Sequence, residues 1–145
     1  MSTQSVYDAV KARLVDTMGA SYPIRDWEEI ETSLQRETAS WISIEDGGGN
    51  NELTSVGSPD SNWVTDTGFI DIHVMVPSTQ ALDSARSICG TVRSVLAYQY
   101  LTLTAGRLRV LTVDPPDTGF VHNGLWHSMR VTVNYEHQYT IATAA

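Results

Sequence analysis

A chain of 145 residues is long enough to bury a core without disulfides or a metal, and its single cysteine, Cys89, has no partner for an intrachain bridge. Seventeen acidic residues against eight arginines and one lysine leave a net charge of −8. That excludes a dedicated, tight nucleic-acid binder, which would cluster Lys and Arg to displace counterions from phosphate. No stretch approaches the roughly 18 consecutive apolar residues of a membrane helix, and MSTQSVYDAV lacks the basic-then-apolar pattern of an export signal. One soluble domain spanning residues 1–145, without membrane contact, is expected.

Val6, Ala9, Val10, Leu14 and Met18 recur at spacings of three and four, which predicts an N-terminal helix with one apolar face. Ser5 with Asp8 resembles a capping box, and Gly19 offers a left-handed close. Tyr22-Pro23 reads as extended, and Asp26, Trp27, Ile30 and Leu34 fit a short capped helix. Ser40 to Glu45 alternates as a strand, and Asp46-Gly47-Gly48-Gly49-Asn50-Asn51 is expected to stop it. The next strand is Gly68 to Val76, with Ile70, Ile72, Val74 and Val76 on one face and Phe69, Asp71, His73 and Met75 on the other. Residues 46–67 are therefore expected to be a loop, longer than the about 12 to 15 residues beyond which loops tend to be functional or disordered. This segment carries Leu53, Val56, Trp63 and Val64. Flexible linkers seldom hold a tryptophan, so it is expected to dock on its own domain or reach a neighbour as an inter-subunit arm.

Pro77 closes that strand, and Ser78 or Thr79 opens a second helix with Leu82, Ala85, Ile88, Cys89, Val92, Val95 and Leu96 along one stripe. Gly90 within it suggests close approach of another element. Thr102 to Thr104 is ambiguous, Ala105-Gly106 turns, and Arg107 to Val113 is a strand that Asp114-Pro115-Pro116-Asp117-Thr118-Gly119 breaks. From Leu125 to Ile141 the chain alternates without interruption, with Leu125, His127, Met129, Val131, Val133, Tyr135, His137, Tyr139 and Ile141 on one face. At about 3.3 Å per residue a straight strand of this length runs on the order of 55 Å, against a domain diameter of roughly 40 Å. Either it bends near Asn134 or it reaches beyond its own domain. The element order predicts an α+β fold: an antiparallel or mixed four-stranded sheet, two main helices packed on one face, and a long loop between the first two strands.

The search for chemistry returns little. Gly47-Gly48-Gly49 lacks the lysine and Ser/Thr of a phosphate-binding loop. His73, His122, His127 and His137 show no ligand spacing on a helix, no serine sits in a Gly-x-Ser-x-Gly elbow, and Cys89 lies on an apolar stripe where burial keeps it a thiol. No metal, cofactor or catalytic residue is expected. The remaining enzymatic reading is a small enzyme or ligand-binding domain using Asp114, Asp117 and His122, residues that also fit ordinary turn chemistry. Contact-forming side chains are better represented. Trp63, Phe69, Arg107, Arg109, Trp126 and Arg130 are candidate subunit-interface residues, being of types that dominate interfaces or lying on faces that a core does not claim.

Several stretches together resemble the tail terminator proteins of long-tailed bacteriophages: the N-terminal helix ending at Gly19, Tyr22-Pro23-Ile24, Trp41-Ile42-Ser43-Ile44, Thr67-Gly68-Phe69-Ile70-Asp71-Ile72 running to Val76-Pro77, the helix Leu82 to Leu96 and the terminal strand. The resemblance implies a non-enzymatic virion protein at the head-tail junction, assembled in the host cytoplasm. It would form a ring, commonly a hexamer, that caps the tail tube, ends its polymerisation and joins the head. Its partners would be copies of itself, the tail tube protein and a head-tail connector protein. DNA would pass through the lumen without specific binding, which fits a chain with one lysine. A connector or neck protein is the alternative within the same class.

Overall fold

The computed structural model describes residues 2–30, 33–34, 37–53, 62–101, 103, 106–118 and 124–141. Helix α1 (Ser2–Met18) begins ahead of the expected cap at Ser5 and buries Val6, Val10, Leu14 and Met18. It closes without a left-handed glycine. The Gly19 N–H donates to the Val15 carbonyl at 3.0 Å, while positive φ among the described glycines occurs at Gly106 and Gly124. The predicted short capped helix starts late, because Ile24–Asp26 forms strand β1 and Trp27–Glu29 a single 3₁₀ turn in which Asp26 makes no capping bond.

The sheet is larger than the sequence suggests. After β1 come β2 (Trp41–Leu53), β3 (Asn62–Pro77), helix α2 (Leu82–Leu96), β4 (Tyr100–Leu101), β5 (Arg107–Val113), β6 (Asp117–Thr118) and β7 (Trp126–Ile141). Six strands lie in the order β1-β2-β3-β7-β5-β4, and β6 pairs with β7 off that path. The β1–β2 pair is parallel and the rest antiparallel, in a mixed sheet that curls into a half-barrel. This overturns the four-stranded expectation.

It also overturns the long loop of residues 46–67. Most of that segment is strand: β2 runs through the glycine run to Leu53, and β3 begins at Asn62, so the two form one long hairpin; residues 54–61, Val56 among them, lie outside the described residues. The physical reason lies in how closely the strands approach. A Cβ at Gly47 would overlap the Phe69 ring, one at Gly49 would strike the Thr67 carbonyl, and one at Gly68 would sit 2.7 Å from the Gly48 oxygen and 2.8 Å from the Tyr135 hydroxyl. Glycine is therefore what lets these strands pair through a bulge between Asp46 and Gly49.

The long β7 strand finds its partner inside the chain. β3 matches it residue for residue from Pro77 opposite Trp126 to Asn62 opposite Ile141, with no shift of register. Extra residues sit in the strands that flank this pair instead, at Gly47-Gly48 of β2 beside β3 and at Leu111 of β5 beside β7.

Two cores flank the sheet. The main one joins α1 and α2 to the inner face through Ile42, Ile44, Ile70, Ile72, Val74, Leu108, Val110, Val131 and Val133. The second, on the outer face at the sheet's near end, holds Leu34, Trp41, Met75 and Trp126 with Trp27 and Ile30 against it. The Trp41 and Trp126 rings meet edge to face, 6.1 Å between centroids at 90°, and the Trp126 indole N–H donates to the Leu34 carbonyl at 3.2 Å. Gly90 of α2 does not mark a close approach: it is exposed, and a Cβ there would meet nothing within 4 Å.

Candidate assembly surface

The outer sheet face changes character along the strands. Next to the second core lies a polar row that follows from register, since Glu45 stands opposite Asp71, His73 opposite Arg130, Asp71 opposite Thr132 and Asp117 opposite Arg130. His73 is 5% exposed, with Nε2 3.0 Å from Glu45 Oε1 and its ring 4.2 Å from that of Trp27. Burial holds its pKa below the ordinary histidine value, partly offset by Glu45. The Thr132 hydroxyl donates to Asp71 at 2.7 Å, and an Arg130 guanidinium nitrogen lies 3.0 Å from Asp117 Oδ2.

Ligand atoms of Glu45, Asp71 and His73 lie within 4.8 Å of one another, near enough to share a cation. Each is already committed to a protein partner, and Arg130 faces His73 across the register, so the row reads as a hydrogen-bonded seam joining β2, β3, β7 and β6. Sequence spacing did not reveal this cluster because its members come from different strands.

A second cluster ties α1 to β1. The Tyr7 hydroxyl donates to Asp26, and Lys11 Nζ lies 3.0 Å from the same carboxylate. Burial and then the Asp26 hydrogen bond push the Tyr7 phenol far above its ordinary pKa, and the Tyr7 bond, aided by Lys11, holds Asp26 below the usual carboxylate range against desolvation. The chain's sole lysine is thus spent on an internal contact.

Beyond the polar row the outer face opens. Trp63 is 43% exposed and Phe69 38%, and at the opposite sheet edge Tyr98 and Tyr100 are 69% and 64% exposed. Tyr98 holds a positive φ of 60° in the turn after α2, an unusual conformation for a side chain of that size. Arg107 and Arg109 alternate outward from β5, and the Arg109 guanidinium lies 5.9 Å from the Tyr100 ring centroid. These two arginines stand apart from the other described cations. Lys11, Arg25, Arg86 and Arg130 pair with carboxylates, and Arg13 and Arg93 donate to the Val95 and Val113 carbonyls, whereas Arg107 and Arg109 have no such partner among the described residues.

At the other edge, β1 covers only Ile42 to Ile44 of β2. From Asp46 to Leu53 the outer side of β2 has no strand beside it among the described residues, and Asp46, Asn50, Asn51 and Glu52 are exposed there. An open recess of about 310 Å³ lies over the adjoining sheet face, lined by residues 47–51 of β2 with Asp66 and Thr67 of β3 and Tyr135 and Tyr139 of β7. Burial and the nearby Glu28 raise the Asp46 pKa.

Of the six candidate interface residues, Trp63, Phe69, Arg107 and Arg109 lie on this open region. Arg130 is half-buried in the polar row, and Trp126 is 5% exposed inside the chain's own second core. Period-two reading put Trp126 on the polar face correctly, but that face carries a core of its own at this end. Asp114 accepts from Asn134 at 3.1 Å and Asp117 pairs with Arg130, while His122 lies outside the described residues. Cys89 is fully buried, its thiol pushed up to about 11 by burial.

No protein-family model matches this chain, and no curated protein matches it. Solved structures do. One, a chain of the virion of a native gene transfer agent particle, aligns with a TM-score of 0.65 at 14% identity over 94% of this chain and 96% of its own. Another, which carries no descriptive name, aligns with a TM-score of 0.65 at 13% identity over 96% and 97%. At these identities the likeness is one of fold, and it extends across nearly the whole of each chain.

Proposed function

We propose that this chain is a structural virion protein: a tail terminator that assembles as a ring, commonly a hexamer, caps the tail tube and offers the head-joining surface. The observation that carries this reading is the end-to-end fold shared with a chain of a gene transfer agent virion. Three features support it. The polar clusters pair their carboxylates with side chains of the chain itself, His73, Thr132 and Arg130 in one and Tyr7 and Lys11 in the other, which suits a protein that works by contact and without catalysis. Exposed aromatic and arginine side chains concentrate on the far half of the outer face and at the β4–β5 edge. A net charge of −8 with the sole lysine engaged suits a passage through which DNA slides without sticking.

Electron microscopy of the purified protein, alone and mixed with tail tubes, tests the reading. Rings, or a cap on tube ends that halts further growth, are the expected result. A protein that stays monomeric and leaves tube growth unchanged overturns it, and a ring that binds the portal side but not the tube reassigns it to the head-tail connector.

A further inference from the structure

The two edges of the sheet carry opposite charge. One presents Arg107 and Arg109 beside exposed Tyr98 and Tyr100, while the other presents Glu28, Glu29, Asp46 and Glu52 beside a stretch of β2 with no strand next to it among the described residues. The arginines are the described cations that the chain itself leaves unpaired, in a protein with acidic groups to spare. The β2 edge also lacks the lysine and proline that commonly blunt an exposed strand, and its glycines leave the backbone accessible.

We propose that the β4–β5 edge of one copy docks on the open β2 edge of the next, with Arg107 and Arg109 facing Asp46 and Glu52. The proposal rests on the ring reading and names the surfaces that would close it. Because the two patches differ and lie at opposite ends of the sheet order, the contact is heterologous: each copy uses one edge and leaves the other for a further copy, so a rotation that closes gives a ring. The same arginines could serve phosphate, but their neighbours favour protein. Tyr98 and Tyr100 suit a desolvated protein contact, and the chain supplies a complementary acidic edge of its own.

Charge exchange between two variants of the full chain tests this. Arg107→Glu/Arg109→Glu has two acidic edges, and Asp46→Lys/Glu52→Lys has two basic ones. Each alone is expected to lose assembly, read by sedimentation and electron microscopy, and an equimolar mixture is expected to regain it as an alternating assembly. Circular dichroism on each variant checks that it remains folded. If the wild type forms rings and the arginine variant forms them equally well, the ring stands and this edge pairing falls. If each variant loses assembly but the mixture does not regain it, the pairing falls too. Should the arginine variant keep its rings and lose retention of double-stranded DNA in an anisotropy assay, the arginines serve nucleic acid. A wild type that never self-associates, alone or on tubes, overturns both the pairing and the ring.

Discussion

The two halves of strand β2 teach how one continuous element can do two jobs. Trp41 to Ile44 are four consecutive buried residues, because the inner face meets the helices while the outer face meets the second core. Past the bulge, Asp46 and Gly48 to Glu52 are exposed, and the strand persists through pairing with β3 instead of burial. The near half provides stability, whereas the far half provides an open edge and one wall of the recess, beside the exposed Trp63 and Phe69 of β3. Hydrogen bonding alone maintains a strand where the other elements of the sheet already hold its partner in place.

Substitutions should separate these halves. The largest effect is expected in the near half: Trp126→Ala removes an indole packed against Trp41, Met75 and Leu34 and should cost about 3–5 kcal/mol in chemical denaturation, with assembly failing only through unfolding. Next is the junction, where Gly68→Val forces a branched side chain against the Gly48 carbonyl and the Tyr135 hydroxyl. A loss of about 1–3 kcal/mol is expected, and backbone NMR shifts should change on both β2 and β7. A smaller, pH-dependent effect belongs to the polar row. The fold favours neutral His73, so the unfolded chain binds that proton more readily: this contribution is complete above the unfolded value of about 6.5 and declines as pH falls below it. His73→Gln should flatten the stability profile between about pH 7 and 5. Asp26, held low by Tyr7 and Lys11, acts further down the scale. Its contribution is complete above the unfolded value of about 3.9 and is lost as pH falls through the lower folded value, and Tyr7→Phe should reduce that loss. The smallest effect on stability, within about 0.5–1 kcal/mol, is expected for Trp63→Ala on β3 beside the far half, and on the proposed ring reading this variant weakens assembly seen by microscopy. If Trp63→Ala proved as destabilising as Trp126→Ala, the contrast between the halves would be lost.

The same contrast explains which parts of the fold were legible in the sequence. Amphipathic periodicity located α1, α2, the first part of β2, β3 from Gly68, β5 and all of β7, because those residues alternate between a core and something else. It missed the far half of β2, where three glycines and two asparagines have low strand propensity and no apolar alternation, and where pairing supplies the order. It missed β1, β4 and β6, each two or three residues long and defined only by a neighbour. Arg107, Arg109, Trp63 and Phe69 were singled out by type, and the fold leaves all four exposed. That Trp126 is internal was not, since only the tertiary fold brings Leu34 and Trp41 over it.

The unbroken β3–β7 ladder has a consequence for how the chain reaches its folded state. The β2–β3 hairpin joins consecutive elements, but β3 must then wait for the last strand of the chain, which arrives only after α2, β4, β5 and β6. Such non-local pairing places the domain among slow folders, in the millisecond-to-second range, and leaves a sixteen-residue edge of β3 unfilled meanwhile. During synthesis at high local concentration, the β7 of another nascent chain fits that vacancy as well as its own. Strand exchange between copies is therefore the characteristic misassembly of this topology, and dilution during refolding should suppress it.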